Sequence, residues 1–137
     1  MMMTMVEPSA RPRVLVVDDN DVIVARASAV LASTCDVVGT AKDGRAALRA
    51  AKDLRPDVIV LDISMPELTG FEVAAQLRDL GSQAAVVFLT VHLDEDFVMA
   101  AQAVGGIGYV IKPRLSSDLA HAVSEARAGR SFVSKRR

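Results

Sequence analysis

The sequence predicts an α/β fold in which helices wind over both faces of a parallel sheet. Three observations predict it. Short apolar runs of about five residues, rich in Val, Ile and Leu, alternate with segments whose apolar residues recur at helical spacing. The short runs are apolar at nearly every position, the pattern of strands buried on both faces. The alternation repeats five times within 137 residues, the length of one ordinary domain.

The first strand is "RVLVVDD" (13–19), β-branched and ending in acid. In "DVIVARASAVLAST" (21–34), Ile23, Ala27, Val30 and Leu31 share one helical face. "DVVGTA" (36–41) is a short second strand. Asp43 caps a helix on which Ala47, Leu48, Ala51 and Leu54 align, and Pro56 ends it. "DVIVLD" (57–62) is the third strand, and after the loop "ISMPELTG" the helix "FEVAAQLRDL" (71–80) closes at Gly81. "AAVVFLT" (84–90) is the fourth strand, followed by "DEDFVMAAQAV" (94–104), whose acidic first turn suits a helix N-terminus. "IGYVIK" (107–112) is the fifth strand. Ser116 or Ser117 opens a last helix with Leu115, Leu119, Ala122, Val123 and Ala126 in register, ended by Gly129. Right-handed crossovers place helices on both sides of such a sheet. Analogy then supplies the arrangement: a flavodoxin-like (βα)5 doubly wound sandwich with five parallel strands in the order 2-1-3-4-5. The glycines of "GGIGY" (105–109) predict a mobile loop before the fifth strand.

Composition narrows the function classes. Apolar residues make up 51 % and aromatic residues only 4 %, so the core is built from Val, Leu, Ile and Ala. A formal net charge of −1 gives no global basic field for nucleic acid. The single cysteine, Cys35, reads as a small core residue, and its inability to form an internal disulfide suits a reducing, cytoplasmic setting. No apolar run approaches the roughly 20 residues that cross a bilayer, so no membrane partner is expected. Residues 1–12, with Pro8 and Pro12, read as a disordered leader without a signal-peptide core. Residues 13–129 form the domain, and 130–137 a short basic tail carrying Lys135, Arg136 and Arg137.

In a sheet of this kind, ligands bind beyond the carboxyl ends of the strands. Strand 1 delivers Asp18 and Asp19 there, strand 3 Asp62, strand 4 Thr90 and strand 5 Lys112. Singly, each has a plainer role: an acid after a strand caps a helix, a threonine ends a strand, a lysine is a surface charge. Jointly they have a chemical logic. Close carboxylates repel unless a cation joins them, and Mg²⁺ takes one or two carboxylates while accepting phosphate oxygens. A carboxylate beside that ion can be the nucleophile that forms an acyl phosphate. Thr90 can donate to a phosphoryl oxygen and Lys112 can pair with another.

Residues 13–129 resemble a two-component response-regulator receiver domain. "VLVVDDN", "LDISMPELTGFEV", "FLTVH" and "GYVIKP" stand where that family has its acidic pair, phosphoacceptor loop, switch threonine and lysine-proline. The resemblance implies that Asp62 accepts a phosphoryl group from a sensor histidine kinase or phosphotransfer protein. It implies that Asp19, Asp62 and the backbone carbonyl of Ser64 bind Mg²⁺, with Asp18 acting largely through water. Thr90 and Tyr109 match the switch pair, Tyr109 swinging inward on phosphorylation, and Lys112 matches the phosphate-pairing lysine. The face made by helix 4, strand 5 and helix 5 would then bind an effector or a second copy. A cis Lys112–Pro113 bond is also implied.

"GYVIKPRLSSDLAHAVSEARAGRSFVS" resembles the receivers of the NarL/FixJ (LuxR-type) regulators, which continue into a DNA-binding helix-turn-helix that is not part of this sequence. Val91 stands where the family often has a small residue, which implies narrowed access to the phosphoaspartate. His92 reads as a rim residue and His121 as a solvent-facing helix residue. Three rivals remain. A dehalogenase-type phosphohydrolase needs a second acid two residues after its nucleophile, where Ser64 stands. A nucleotide or flavin binder needs phosphate-cradling glycines that are absent. A receiver-like interaction domain that is never phosphorylated does not need the complete acidic set.

Overall fold

Strand and helix alternate as the apolar periodicity dictates. The structure, a computed structural model, describes residues 11–91 and 94–135. The elements are β1 (Arg13–Val17), α1 (Asp21–Leu31), β2 (Asp36–Ala41), α2 (Gly44–Leu54), β3 (Val58–Asp62), α3 (Gly70–Asp79), β4 (Ala85–Thr90), α4 (Glu95–Ala103), β5 (Gly106–Ile111), α5 (Leu115–Arg127) and β6 (Phe132–Val133). The sheet is parallel, in the order β2-β1-β3-β4-β5-β6. It therefore contains the expected 2-1-3-4-5 order and adds a sixth strand, taken from the segment that reads as a tail. Two residues are too few to carry a periodicity, which is why β6 leaves no strand signature.

Alternate residues of the buried strands serve opposite faces. Leu15, Val17, Ile59, Leu61, Phe88 and Tyr109 pack on the side of α2, α3 and α4. Val14, Val16, Val58, Val60, Val87, Leu89 and Val110 pack with Ala27 and Leu31 of α1 and with Leu115, Leu119, Ala122, Val123 and Ala126 of α5. Cys35 lies in that second layer as a buried residue. Among the described residues, no helix is long and apolar enough to cross a membrane.

Local chemistry sets the helix ends. Asn20 accepts from the amides of Val22 and Ile23 and so caps α1. Thr69 and Glu72 form a reciprocal capping box at α3. Neither serine opens α5: a 3-10 turn, Lys112–Arg114, runs straight into it at Leu115. Pro113 sits early in that turn, where its missing N–H costs no hydrogen bond. No cis peptide bond occurs among the described residues, so the Lys112–Pro113 bond is trans, against the expectation from resemblance.

Two further expectations are corrected. Gly106 and Gly108 lie inside β5, and a β-carbon at Gly106 would collide with the Phe88 ring, one at Gly108 with Val87 at 2.8 Å. Close packing, and not a loop, explains those two glycines. Arg11 and Pro12, assigned to the leader, are tied to the domain. The Pro12 carbonyl accepts from the Asp36 amide at 2.8 Å. The Arg11 guanidinium donates to the carbonyls of Ala32 and Cys35 at 2.7 and 2.9 Å and to the Asp36 carboxylate at 2.9 Å. Carbonyls left over at the C-terminal end of α1 thereby gain partners.

Gly70 connects the fold to the strand-end pocket. Its amide donates to the Ile63 carbonyl at 2.8 Å, folding the 63–69 loop back on β3. A β-carbon there would collide with the Asp62 carbonyl and meet Ile63 Cα at 2.9 Å, both backbone atoms. Gly70→Ala is therefore expected to lower stability by roughly 1–3 kcal/mol, read as the urea midpoint. An unchanged midpoint would show that the loop is not held this tightly.

Candidate functional site

Adjacent parallel strands end on the same side, so the order of the sheet brings the chemistry together. Asp18 follows β1 and Asp62 ends β3, its direct neighbour. Both carboxylates are almost fully buried, at 0 % and 2 % exposure. Such burial is costly without compensation. Lys112, directly after β5, supplies part of it: its Nζ lies 2.9 Å from Asp18 Oδ2 and 3.3 Å from Asp62 Oδ1. Backbone amides supply more. Asn20 N–H donates to Asp18 Oδ1 at 2.9 Å, and Ser64 N–H to Asp62 Oδ1 at 3.2 Å. Asp18 Oδ2 accepts no aligned hydrogen bond among the described residues, only the ion-pair contact.

One lysine faces two buried acids, and exposed Asp19 adds a third. Carboxylate oxygens of Asp18, Asp19 and Asp62 lie within 4.8 Å of one another. This donor set is all hard oxygen, with one buried oxygen lacking an aligned donor, and so it fits Mg²⁺. The same shortage of positive charge appears in the proton affinities. Burial, and then the Asp18 charge, push the Asp62 carboxyl up to about 6, against Lys112 and the Ser64 amide. Burial works against the Lys112 charge, but Asp18 and Asp62 together hold its proton above the usual lysine range.

Thr90 ends β4 as a buried residue, and its register partner is Ile111, next to Lys112. Tyr109 pairs with Phe88 and is 2 % exposed, so its ring lies inside. Burial raises the Tyr109 phenol above its usual value, with Thr90 and Asp94 near enough to modulate it. The hydroxyl nonetheless makes no hydrogen bond of standard geometry among the described residues. Val91 is 60 % exposed and continues from Thr90 into solvent. His121 is solvent-facing and meets the Phe132 ring edge-on at 5.1 Å. His92, Arg136 and Arg137 lie outside the described residues.

The structure thus brings Asp18, Asp19, Asp62 and Lys112 into one cluster, and sets Thr90 at the adjoining strand end. Ser64 takes part through its amide, the one Ser64 contact in the cluster among those described. Sequence reasoning missed the Thr69–Glu72 box, whose T-x-x-E signature was visible, and a second polar cluster around Asp118 and Ser134, which has none.

Residues 14–124 match the family model for the "Response regulator receiver domain". Among curated relatives, the transcriptional regulatory protein PrrA of Mycobacterium tuberculosis is 40 % identical over 108 residues, 79 % of this chain and 46 % of that protein. The response regulator GacA of Pseudomonas aeruginosa is 32 % identical over 124 residues, 89 % of this chain and 58 % of that protein. This chain therefore spans about half the length of these relatives. Among solved structures, the signal receiver domain of the response regulator NarL from Mycobacterium tuberculosis superposes with a TM-score of 0.83 at 32 % identity, covering 88 % of this chain and 98 % of that one. Chemotaxis protein CheY4 of Vibrio cholerae gives a TM-score of 0.79 at 33 % identity, covering 85 % and 99 %.

The raised affinity of Asp62 for a proton has a thermodynamic consequence. The folded state binds that proton more tightly than the unfolded chain, so the stability it contributes is present at low pH and lost as pH rises through about 6. In metal-free buffer, Asp62→Asn should raise stability at about pH 8 by on the order of 1–3 kcal/mol, a gain that shrinks toward pH 4. Denaturation at the two pH values checks this. A variant destabilised at the higher pH, or a gain independent of pH, would contradict the geometry.

Proposed function

The chain belongs to the response regulator receiver domain family, and from that premise we propose that Asp62 is its phosphoacceptor. The observation that carries the reading is the buried Asp62 carboxylate, which shares Lys112 with Asp18 and stands within reach of Asp19. A sensor histidine kinase or phosphotransfer protein is the donor. Asp18, Asp19 and Asp62 would hold Mg²⁺, with the Ser64 carbonyl as a further ligand by resemblance. When bound, the ion neutralises charge on the transferring phosphoryl group.

An Asp62 oxygen attacks phosphorus in line with the bond to the phosphohistidine nitrogen. The O–P bond forms as the N–P bond breaks, and the departing imidazole takes up a proton. Lys112, already oriented by two carboxylates, pairs with a phosphoryl oxygen. Thr90 donates its hydroxyl to another. Hydrolysis later joins a water oxygen to phosphorus, breaks the aspartyl O–P bond and restores the carboxylate. Turnover of a separate substrate is not part of this function, so the domain acts as a signalling phosphoacceptor.

Thr90, drawn toward the phosphoryl oxygen, and Tyr109 together set the face of α4, β5 and α5, which receives an effector or a second copy. Tyr109 is buried in the inward position, and the phosphoryl group biases the equilibrium that sets this position. Relatives named as transcriptional regulators support the view that the signal ends in gene control in the whole protein, through a partner or further domain. A cytoplasmic location follows from the same reading.

Intact-mass measurement after incubation with acetyl phosphate and Mg²⁺ tests the assignment. Wild type should gain one phosphoryl group, Thr90→Ala should also gain it, and Asp62→Asn should gain none. Full labelling of Asp62→Asn would overturn it.

A further inference from the structure

A second buried polar cluster lies outside the acidic pocket yet begins at its lysine. Lys112 opens the 3-10 turn whose last residue is Arg114. The Arg114 guanidinium grips the Asp118 carboxylate, Nε to Oδ2 at 2.9 Å and Nη2 to Oδ1 at 3.2 Å. Asp118 is 7 % exposed, a carboxylate that a helix surface would not need to bury. Burial alone would push it up, but bonds from Arg114 and Ser134 hold it below the usual carboxylate range. The Ser117 hydroxyl donates to Asp118 Oδ1 at 3.2 Å, and the C-terminal segment supplies a further partner: Ser134 Oγ donates to Asp118 Oδ2 at 2.7 Å. That hydroxyl also accepts from the Ile111 amide at 3.2 Å, and the Ser134 amide donates to the Tyr109 carbonyl at 2.8 Å. Phe132 and Val133 pair with Gly108 and Tyr109 along the outer side of β5.

The C-terminal segment is thus fastened at two points, and both belong to the switch. One is the β5 backbone, at the Tyr109 carbonyl and the Ile111 amide, and the other is Asp118 of α5, gripped by the last residue of the turn that starts at Lys112. β6 itself is a two-residue edge strand, and the segment's other ties lie on α5: Arg130 donates to the Glu125 carboxylate at 2.8 and 3.0 Å, and Phe132 meets the His121 ring. Short edge elements open at the low end of a domain's stability range.

We propose that β6 and Ser134 form a latch whose hold on β5 is set by the phosphorylation state of Asp62, with Asp118 as the positioning residue that links the two. The proposal rests on the phosphoacceptor reading. A phosphoryl group on Asp62 extends outward from the carboxylate and draws Lys112 Nζ off Asp18 Oδ2. The turn shifts with its first residue, Arg114 and Asp118 lose alignment, and the Asp118–Ser134 bond weakens. Residues 132–135 are then released from the sheet edge, or held there when Asp62 is bare.

Amide hydrogen exchange over residues 129–135 tests this with beryllofluoride and Mg²⁺ as the phosphoryl mimic, its binding followed separately by titration. In wild type the mimic should speed exchange of that segment by about fivefold or more, the lower range of allosteric couplings. Ser134→Ala should exchange fast with or without the mimic. By reciprocity it should bind beryllofluoride tighter by the same factor that the mimic loosens the strand. Asp118→Asn should behave likewise, which guards against a folding defect peculiar to one variant. Mimic binding with unchanged or slower exchange in wild type would overturn the latch and leave the phosphoacceptor reading standing. Failure of the wild type to bind the mimic at all would overturn both.

Discussion

Two buried carboxylates at the ends of neighbouring strands, sharing one ammonium group, are the constraint from which the rest follows. Asp18 and Asp62 are removed from water, and Lys112 meets both within 3.3 Å. One positive charge cannot balance two acids plus the nearby Asp19. Burial, and then the Asp18 charge, keep the Asp62 proton affinity high, and the imbalance makes a divalent cation the natural completion of the cluster. An isolated charge so placed would be neutralised or expelled. It persists because β1, β3 and β5, buried where they end, fix the positions of Asp18, Asp62 and Lys112.

The sheet supplies that rigidity. The paired residues 14–17 of β1 and 58–61 of β3 are fully buried, so the carboxylates beyond them cannot drift apart without breaking the core. β4 and β5 bring Thr90 and Lys112 to the same edge. The loop carrying Ser64 is folded back by the Gly70 amide and capped by Thr69 and Glu72. Rigid strands with function at their ends, on short loops, are the general way such sheets carry chemistry.

Much of this was legible in the sequence because it rests on local signals. Continuous apolar runs mark double-sided burial, and the strand spans from "DVVGTA" to "AAVVFLT" lie within a residue of those in the structure. The site residues were legible because parallel strands put their last residues side by side. What escaped depends on tertiary contact. Phe132 and Val133 have no strand pattern of their own and pair only because β5 offers an edge. Asp118 has no mark of burial in the sequence, because Ser134 and Arg114 close over it only in the folded chain. Gly106 reads as a flexible point until the Phe88 ring is found where its side chain would be. The Lys112–Pro113 bond was read by analogy, which the local turn overrode.

The most direct test is an NMR titration of the Asp62 side-chain carboxyl carbon against pH, with and without Mg²⁺. Without metal, the midpoint should lie at about 6, and saturating Mg²⁺ should move it down, since proton and cation compete for the same oxygens. A midpoint at the ordinary aspartate value of about 3.9, unmoved by Mg²⁺, would contradict the account.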